Sequence, residues 1–260
     1  MNYEYIPGEH DIIPEVPPTP EKSQYWGGWA TFGFGLVIFF ITLIAQVLAG
    51  FMAVFVYMAV TGDPSAWEIE NALELYGGIV TSVSVIGNAI IGTGLIFIII
   101  KVRRGLSFSE YLGFRRISPL MLLGMLGLFA LYYGLLFVVT MLVGEPGDDS
   151  SYAFLYNTDV WPVLVVFAFC VVAPLYEEIW MRGFLFEGLA RSRIGGAGAI
   201  FLTSLFWAVQ HFQYAWLQIG MIFVLGLILG LVRLKTKSLW APIILHVLNN
   251  AIAMVELFLN

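Results

Sequence analysis

Glu177 and Glu178 stand in Pro174-Leu175-Tyr176-Glu177-Glu178-Ile179-Trp180-Met181-Arg182-Gly183-Phe184, two adjacent carboxylates and an arginine within an otherwise apolar segment. Trp161 to Pro174 carries no charge, and Gly183 to Leu189 carries only Glu187. An ionised group near the bilayer centre costs roughly 2.5–3.5 kcal/mol on insertion scales, so a chain keeps one where it is paired or at work. Helical spacing sorts the three. Glu178 and Arg182 are four apart, share a face and can neutralise each other. Glu177 is turned about 100° away and has no partner on its own helix. One carboxylate is thereby accounted for and the other is available. The bland reading is an ion network that only fixes helix packing.

Two further clusters favour chemistry. His211 closes Ser204-Leu-Phe206-Trp207-Ala-Val-Gln210-His211, and His246 lies in Pro242-Ile-Ile-Leu-His246-Val-Leu-Asn249-Asn250. His246 and Asn250 share a helix face, with Asn249 close to it. The chain has three histidines, and the third, His10, is far from these segments. A carboxylate, two imidazoles and an amide are the parts needed to activate a water and stabilise an oxyanion. The same set offers zinc two histidines and one glutamate, namely His211, His246 and Glu177, with a position open for water. Other hydrolase signatures are missing: there is no HExxH and no GxSxG.

These residues need helices to hold them. The chain has 260 residues, 60% of them hydrophobic and 12% charged. Soluble domains average about 25% charged, so an integral membrane protein is expected. Regular ten-residue alternation is absent, which argues against a transmembrane barrel. The net charge of −6 and the absence of a basic arm give no support to nucleic-acid binding. The lone cysteine, Cys170, can form no intramolecular disulfide. The fold expected is an all-α polytopic transmembrane bundle of about seven spans, with eight as the alternative if the first is split or re-entrant. Residues 1–26, rich in proline and acids, read as a disordered tail, and residues 27–260 as the helical domain. The spans run at about Gly28–Val60, Gly77–Ile100, Pro119–Val143, Trp161–Leu185, Ala197–Phe212, Trp216–Val232 and Leu239–Leu259. Thr61–Tyr76 reads as a polar loop, its latter half a short surface helix, and Leu106–Ser118 as an amphipathic segment at the interface.

Charge sets the orientation. With the N-terminus in the cytoplasm, Lys101, Arg103, Arg104, Arg115, Arg116, Arg191, Arg193, Arg233, Lys235 and Lys237 all fall inside. The loops then outside carry Asp63, Glu68, Glu70, Glu74, Glu145, Asp148, Asp149 and Asp159 and no cation, which is the positive-inside pattern. In a prokaryote the membrane is the plasma membrane. One tension follows. His246 lies seven residues, about 11 Å, inside the cytoplasmic end of its helix, with Glu177 at similar depth. His211 comes out near the opposite face, so the fifth helix must start later or tilt if the three are to meet.

The motifs resemble those of the CAAX prenyl protease and bacteriocin-processing family of intramembrane proteases. Its EExxxR corresponds to Glu177-Glu178-Ile-Trp-Met-Arg182, its FxxxH to Trp207-Ala-Val-Gln-His211, and its HxxxN to His246-Val-Leu-Asn249-Asn250. The resemblance covers about residues 161–257. It departs at Trp207, where an aromatic replaces the family's phenylalanine, implying a reshaped pocket. The resemblance implies an endopeptidase acting on a membrane-associated peptide or protein within the bilayer, from a cytoplasm-facing cavity. It makes Glu177 the residue that activates water, assisted by His211, with His246 and Asn250 at the oxyanion and Glu178 and Arg182 in support. A metal-free mechanism is preferred, zinc being the competing account. The alternative is a non-catalytic immunity or partner-binding protein on the same scaffold.

Overall fold

The computed structural model describes residues 24–62, 69–144 and 161–259. The tail residues 1–23 and the acidic residues Asp63, Glu68, Glu145, Asp148, Asp149 and Asp159 lie outside the described residues. Among the described residues there is no strand. The helices are α1 (Gly28–Thr61), α2 (Ile69–Arg103), the short α3 (Phe108–Leu112), α4 (Pro119–Val143), a composite α5 (Pro162–Ala190), α6 (Gly195–Val209), α7 (Trp216–Thr236) and α8 (Trp240–Leu259). α1, α2, α4, α5 and α7 are long and apolar enough to cross a membrane, while α6 and α8 are shorter apolar helices. The chain is therefore an all-α bundle with membrane-spanning character. α1 is one unbroken helix of 34 residues, so the first span is not split.

Lipid explains the surface. Phe40, Ile44, Leu48, Phe51 and Phe55 form an exposed stripe along α1, and Leu120, Leu123, Leu131, Leu135 and Leu142 do the same along α4. In water such faces would be costly; in hydrocarbon they are matched to their solvent. α5 lies inside this outer wall and carries the heart of the core. Met181 and Phe184 are completely buried, as are Leu112, Leu229 and Leu239 from the elements around them.

Two expectations are corrected. Ile69–Tyr76 is not a separate surface helix but the first two turns of α2, which runs unbroken to Arg103. The segment after α2 does not simply float in the interface either. Ser107 caps α3, its hydroxyl accepting from the Glu110 backbone N–H while its own backbone N–H donates to the Glu110 carboxylate, and Gly113 closes the turn at φ 76°. That one turn drives Tyr111 and Leu112 into the bundle, where Tyr111 stacks on Phe184. Its apolar face is satisfied by protein, not by lipid.

α5 departs from α-geometry twice, at Ala168–Val172 and at Ile179–Leu185, where the backbone widens to π-type hydrogen bonding. Pro174 explains the first. It has no N–H to give, and the Ala173 N–H reaches back five residues to the Ala168 carbonyl. The second coincides with close packing at Gly183. A side chain there would press Leu112 Cδ2 at 2.8 Å and Leu239 Cδ2 at 3.3 Å. π-type turns recur at functional sites because they redirect side chains and free carbonyls.

Candidate active site

Glu177 sits on α5 between the two widened turns. It faces a cavity of about 930 Å³ whose wall also includes Trp207, His211, His246, Asn249 and Asn250. Its side chain retains 26% exposure, whereas Glu178 beside it has none. The two carboxylates divide as their helical spacing requires: one is buried in a pair and its neighbour opens onto space.

The buried layer is built on Glu178. Its Oε1 accepts from Arg182 Nη1 at 2.8 Å and from His246 Nδ1 at 2.9 Å. Arg182 Nη2 donates to the Gly226 carbonyl of α7 at 3.1 Å, and the guanidinium lies 4.8 Å from the Trp207 ring. One ion pair thus ties α5 to α6, α7 and α8. A carboxylate oxygen can only accept, so His246 carries its proton on Nδ1. Its Nε2 then points toward Glu177, 3.9 Å from Oε2. That gap is too long for a direct hydrogen bond.

Glu177 Oε2 also accepts from the Trp207 indole Nε1 at 2.5 Å. The Trp207 ring is central to the site. It meets the His246 ring edge-on at 5.0 Å and the His211 ring at 5.2 Å. From spacing and resemblance Trp207 is no more than a reshaped pocket wall. Its role as a donor to Glu177 emerges only in the folded chain, although Trp207 and His211, four apart, signal a common face.

His211 is not inside a span. α6 ends at Val209, and His211 occupies the turn beyond it. The reason is local. The last carbonyls of a helix need donors, and side chains supply them here. Gln210 Nε2 donates to Phe206 O at 3.1 Å, and His211 Nδ1 meets Trp207 O at 2.8 Å. A carbonyl only accepts, so Nδ1 holds a proton, and in the neutral ring Nε2 keeps its lone pair.

The amides are already engaged. Asn250 Nδ2 donates to Phe169 O at 2.9 Å. That carbonyl lost its usual helical donor when the Ala173 N–H moved to Ala168 and Pro174 offered none. Asn250 Oδ1 accepts from Asn249 Nδ2 at 3.2 Å, and Asn249 Oδ1 accepts from Tyr133 Oη at 3.2 Å. Asn250 keeps one further N–H for the cavity. Tyr133 extends the network beyond the residues singled out in the sequence.

A later start of the fifth helix does not resolve the depth tension. α6 starts at Gly195, earlier than Ala197, not later. It is α8 that is sunk. Leu239, just before it, packs on Gly183 and donates its N–H to Gly113 O at 2.8 Å. Gly183 is seven residues, about 11 Å, inside the Ala190 end of α5. His246 is thereby carried to the level of Glu178.

Glu177, His211 and His246 share the cavity but do not gather as a metal-binding set. Among the described residues no three His, Cys, Asp or Glu side chains come together closely enough to hold an ion.

No curated protein and no solved structure matches the chain. A family model described as type II CAAX prenyl endopeptidase Rce1-like matches residues 159–252, a region that takes in the cavity's Glu177, Trp207, His211, His246 and Asn250. Over this C-terminal region the chain is similar to the Rce1-like type II CAAX prenyl endopeptidases.

Proposed function

We propose that the protein is an intramembrane endopeptidase in which Glu177 activates a water to cleave a peptide bond of a membrane-associated peptide or protein. The observation that carries this reading is the contrast between the two carboxylates. Glu178 is spent on Arg182 and His246, while Glu177 opens onto the cavity with His246 Nε2 3.9 Å away. A water between Glu177 and His246 would give up its proton to the carboxylate as it attacks the scissile carbonyl. His211, with a free Nε2 lone pair, assists in orienting that water. The second N–H of Asn250 then serves the developing oxyanion, joined by His246 Nε2 when that nitrogen also carries a proton, and the proton on Glu177 passes to the leaving amine. The Glu178–Arg182 pair holds α5 against its neighbours so that these groups keep their positions.

The mechanism routes no step through a metal. Zinc content of the purified protein, together with activity in chelator, checks this: activity should survive chelation. The central test is Glu177→Gln, which keeps size and removes the base. Turnover should fall by about 10²–10⁴-fold, the usual contribution of a general base, with the unfolding midpoint unchanged. Mass-spectrometric comparison of membrane peptides from cells carrying the wild type and the variant reads turnover with no substrate chosen in advance. Full activity in the variant would reject the mechanism, whereas no cleavage by the wild type itself would favour a non-catalytic binding protein.

A further inference from the structure

The cavity is open toward one end of the bundle and closed toward the other, and the closed end is the basic one. On α1 its wall begins at Phe39 and extends to Gln46, away from the Gly28 end. On α5 it reaches no further toward Ala190 than Trp180. Its rim is the α6–α7 turn, Gln210 to Tyr214, with Glu256 near the far end of α8. Phe212 in that turn is 81% exposed.

Below the Glu178–Arg182 layer the bundle is sealed. Met181, Phe184, Leu112, Leu229 and Leu239 have no exposure. Arg233 plugs the remaining space, donating from Nε to Arg182 O at 2.9 Å and from Nη2 to Leu112 O at 3.0 Å, with Glu187 as its counter-charge. Beyond this floor lie the exposed cations Arg104, Arg115, Arg116, Arg193, Lys235 and Lys237. Cations of this kind stay in the cytoplasm during insertion. A cytoplasm-facing cavity and cytoplasmic basic loops therefore cannot both hold.

We infer that the site is served from the non-cytoplasmic side, so that its substrate is an exported peptide or the outward-lying terminus of a membrane protein. This deepens the proteolytic reading and rests on it. Among the described residues the wall also holds two carboxylates, Glu177 and Glu256, and no Lys or Arg, so it favours segments without net negative charge.

Single-cysteine variants in a Cys170→Ala background test the sidedness without reference to catalysis. Ala253→Cys lies on the cavity wall and Phe212→Cys on its rim, while Arg193→Cys lies in a basic loop. In intact cells a membrane-impermeant maleimide should label the first two at least ten times faster than Arg193→Cys, which should react only after permeabilisation. The rim variant, at an exposed position, keeps the test decisive if the wall variant folds poorly. Labelling of the cavity positions only from the cytoplasmic face, or from neither face, would overturn the inference. Peptides whose cleavage depends on Glu177 supply the second arm. Their cut sites should lie in exported segments lacking net negative charge, and cut sites in cytoplasmic tails would refute it. Outside labelling without Glu177-dependent cleavage would reject the protease and leave the access side standing. Inside labelling with such cleavage would do the reverse.

Discussion

At the scale of single residues, the molecule separates two carboxylates one position apart by giving one a counter-charge and the other a cavity. Arg182→Met tests the first half. It leaves Glu178 buried without its cation, which should cost about 3–5 kcal/mol, read as a lower unfolding midpoint in mixed micelles. Adding Glu178→Gln removes the stranded charge, so the double variant should recover part of the loss. This pair was legible in the sequence because i,i+4 spacing is a property of the helix alone. The Trp207 hydrogen bond to Glu177 was not, because it joins residues thirty positions apart on different helices. Nor was the Asn250 bond to Phe169 O, which depends on a backbone carbonyl freed by a proline five residues later.

At the scale of elements, α5 depends on its irregularity. Pro174→Ala supplies an N–H that lets the Ala168–Val172 turn close into ordinary α-geometry. Phe169 O would regain a backbone donor and Asn250 would lose its fixed partner. Activity should fall at least tenfold while stability stays the same or rises, measured by turnover beside thermal unfolding. Close packing makes a second expectation. A methyl at Gly92 of α2 would overlap the Tyr176 ring, next to Glu177. Gly92→Ala should therefore destabilise by roughly 1–3 kcal/mol, the cost of overpacking. The short α3 responds to pH. The Ser107 hydroxyl and backbone N–H hold the Glu110 carboxyl below its ordinary range. Its contribution is complete above the ordinary carboxylate range and fades as pH falls through the depressed folded value. Hydrogen exchange over residues 108–113, corrected for intrinsic rates, should rise on acidification in the wild type, and Glu110→Gln should lack that pH response.

At the scale of the whole molecule, the spans were readable because lipid demands long apolar runs. Depth was not readable. A sequence counts residues from the end of a helix, but the Leu239–Gly113 bond sinks the start of α8 below the level at which α5 ends. The exit of His211 from α6 into a turn was hidden for a similar reason, since side chains terminate that helix without a glycine or proline to mark the stop. One oxygen, Oε1 of Glu178, bears both the arginine that clamps four helices and the imidazole that leans over the cavity. Scaffold and reactive group therefore have no independent dials at that position: a change that makes the scaffold sturdier there also re-aims His246, whereas the rim and the lipid-facing shell can be remodelled without touching the shared joint.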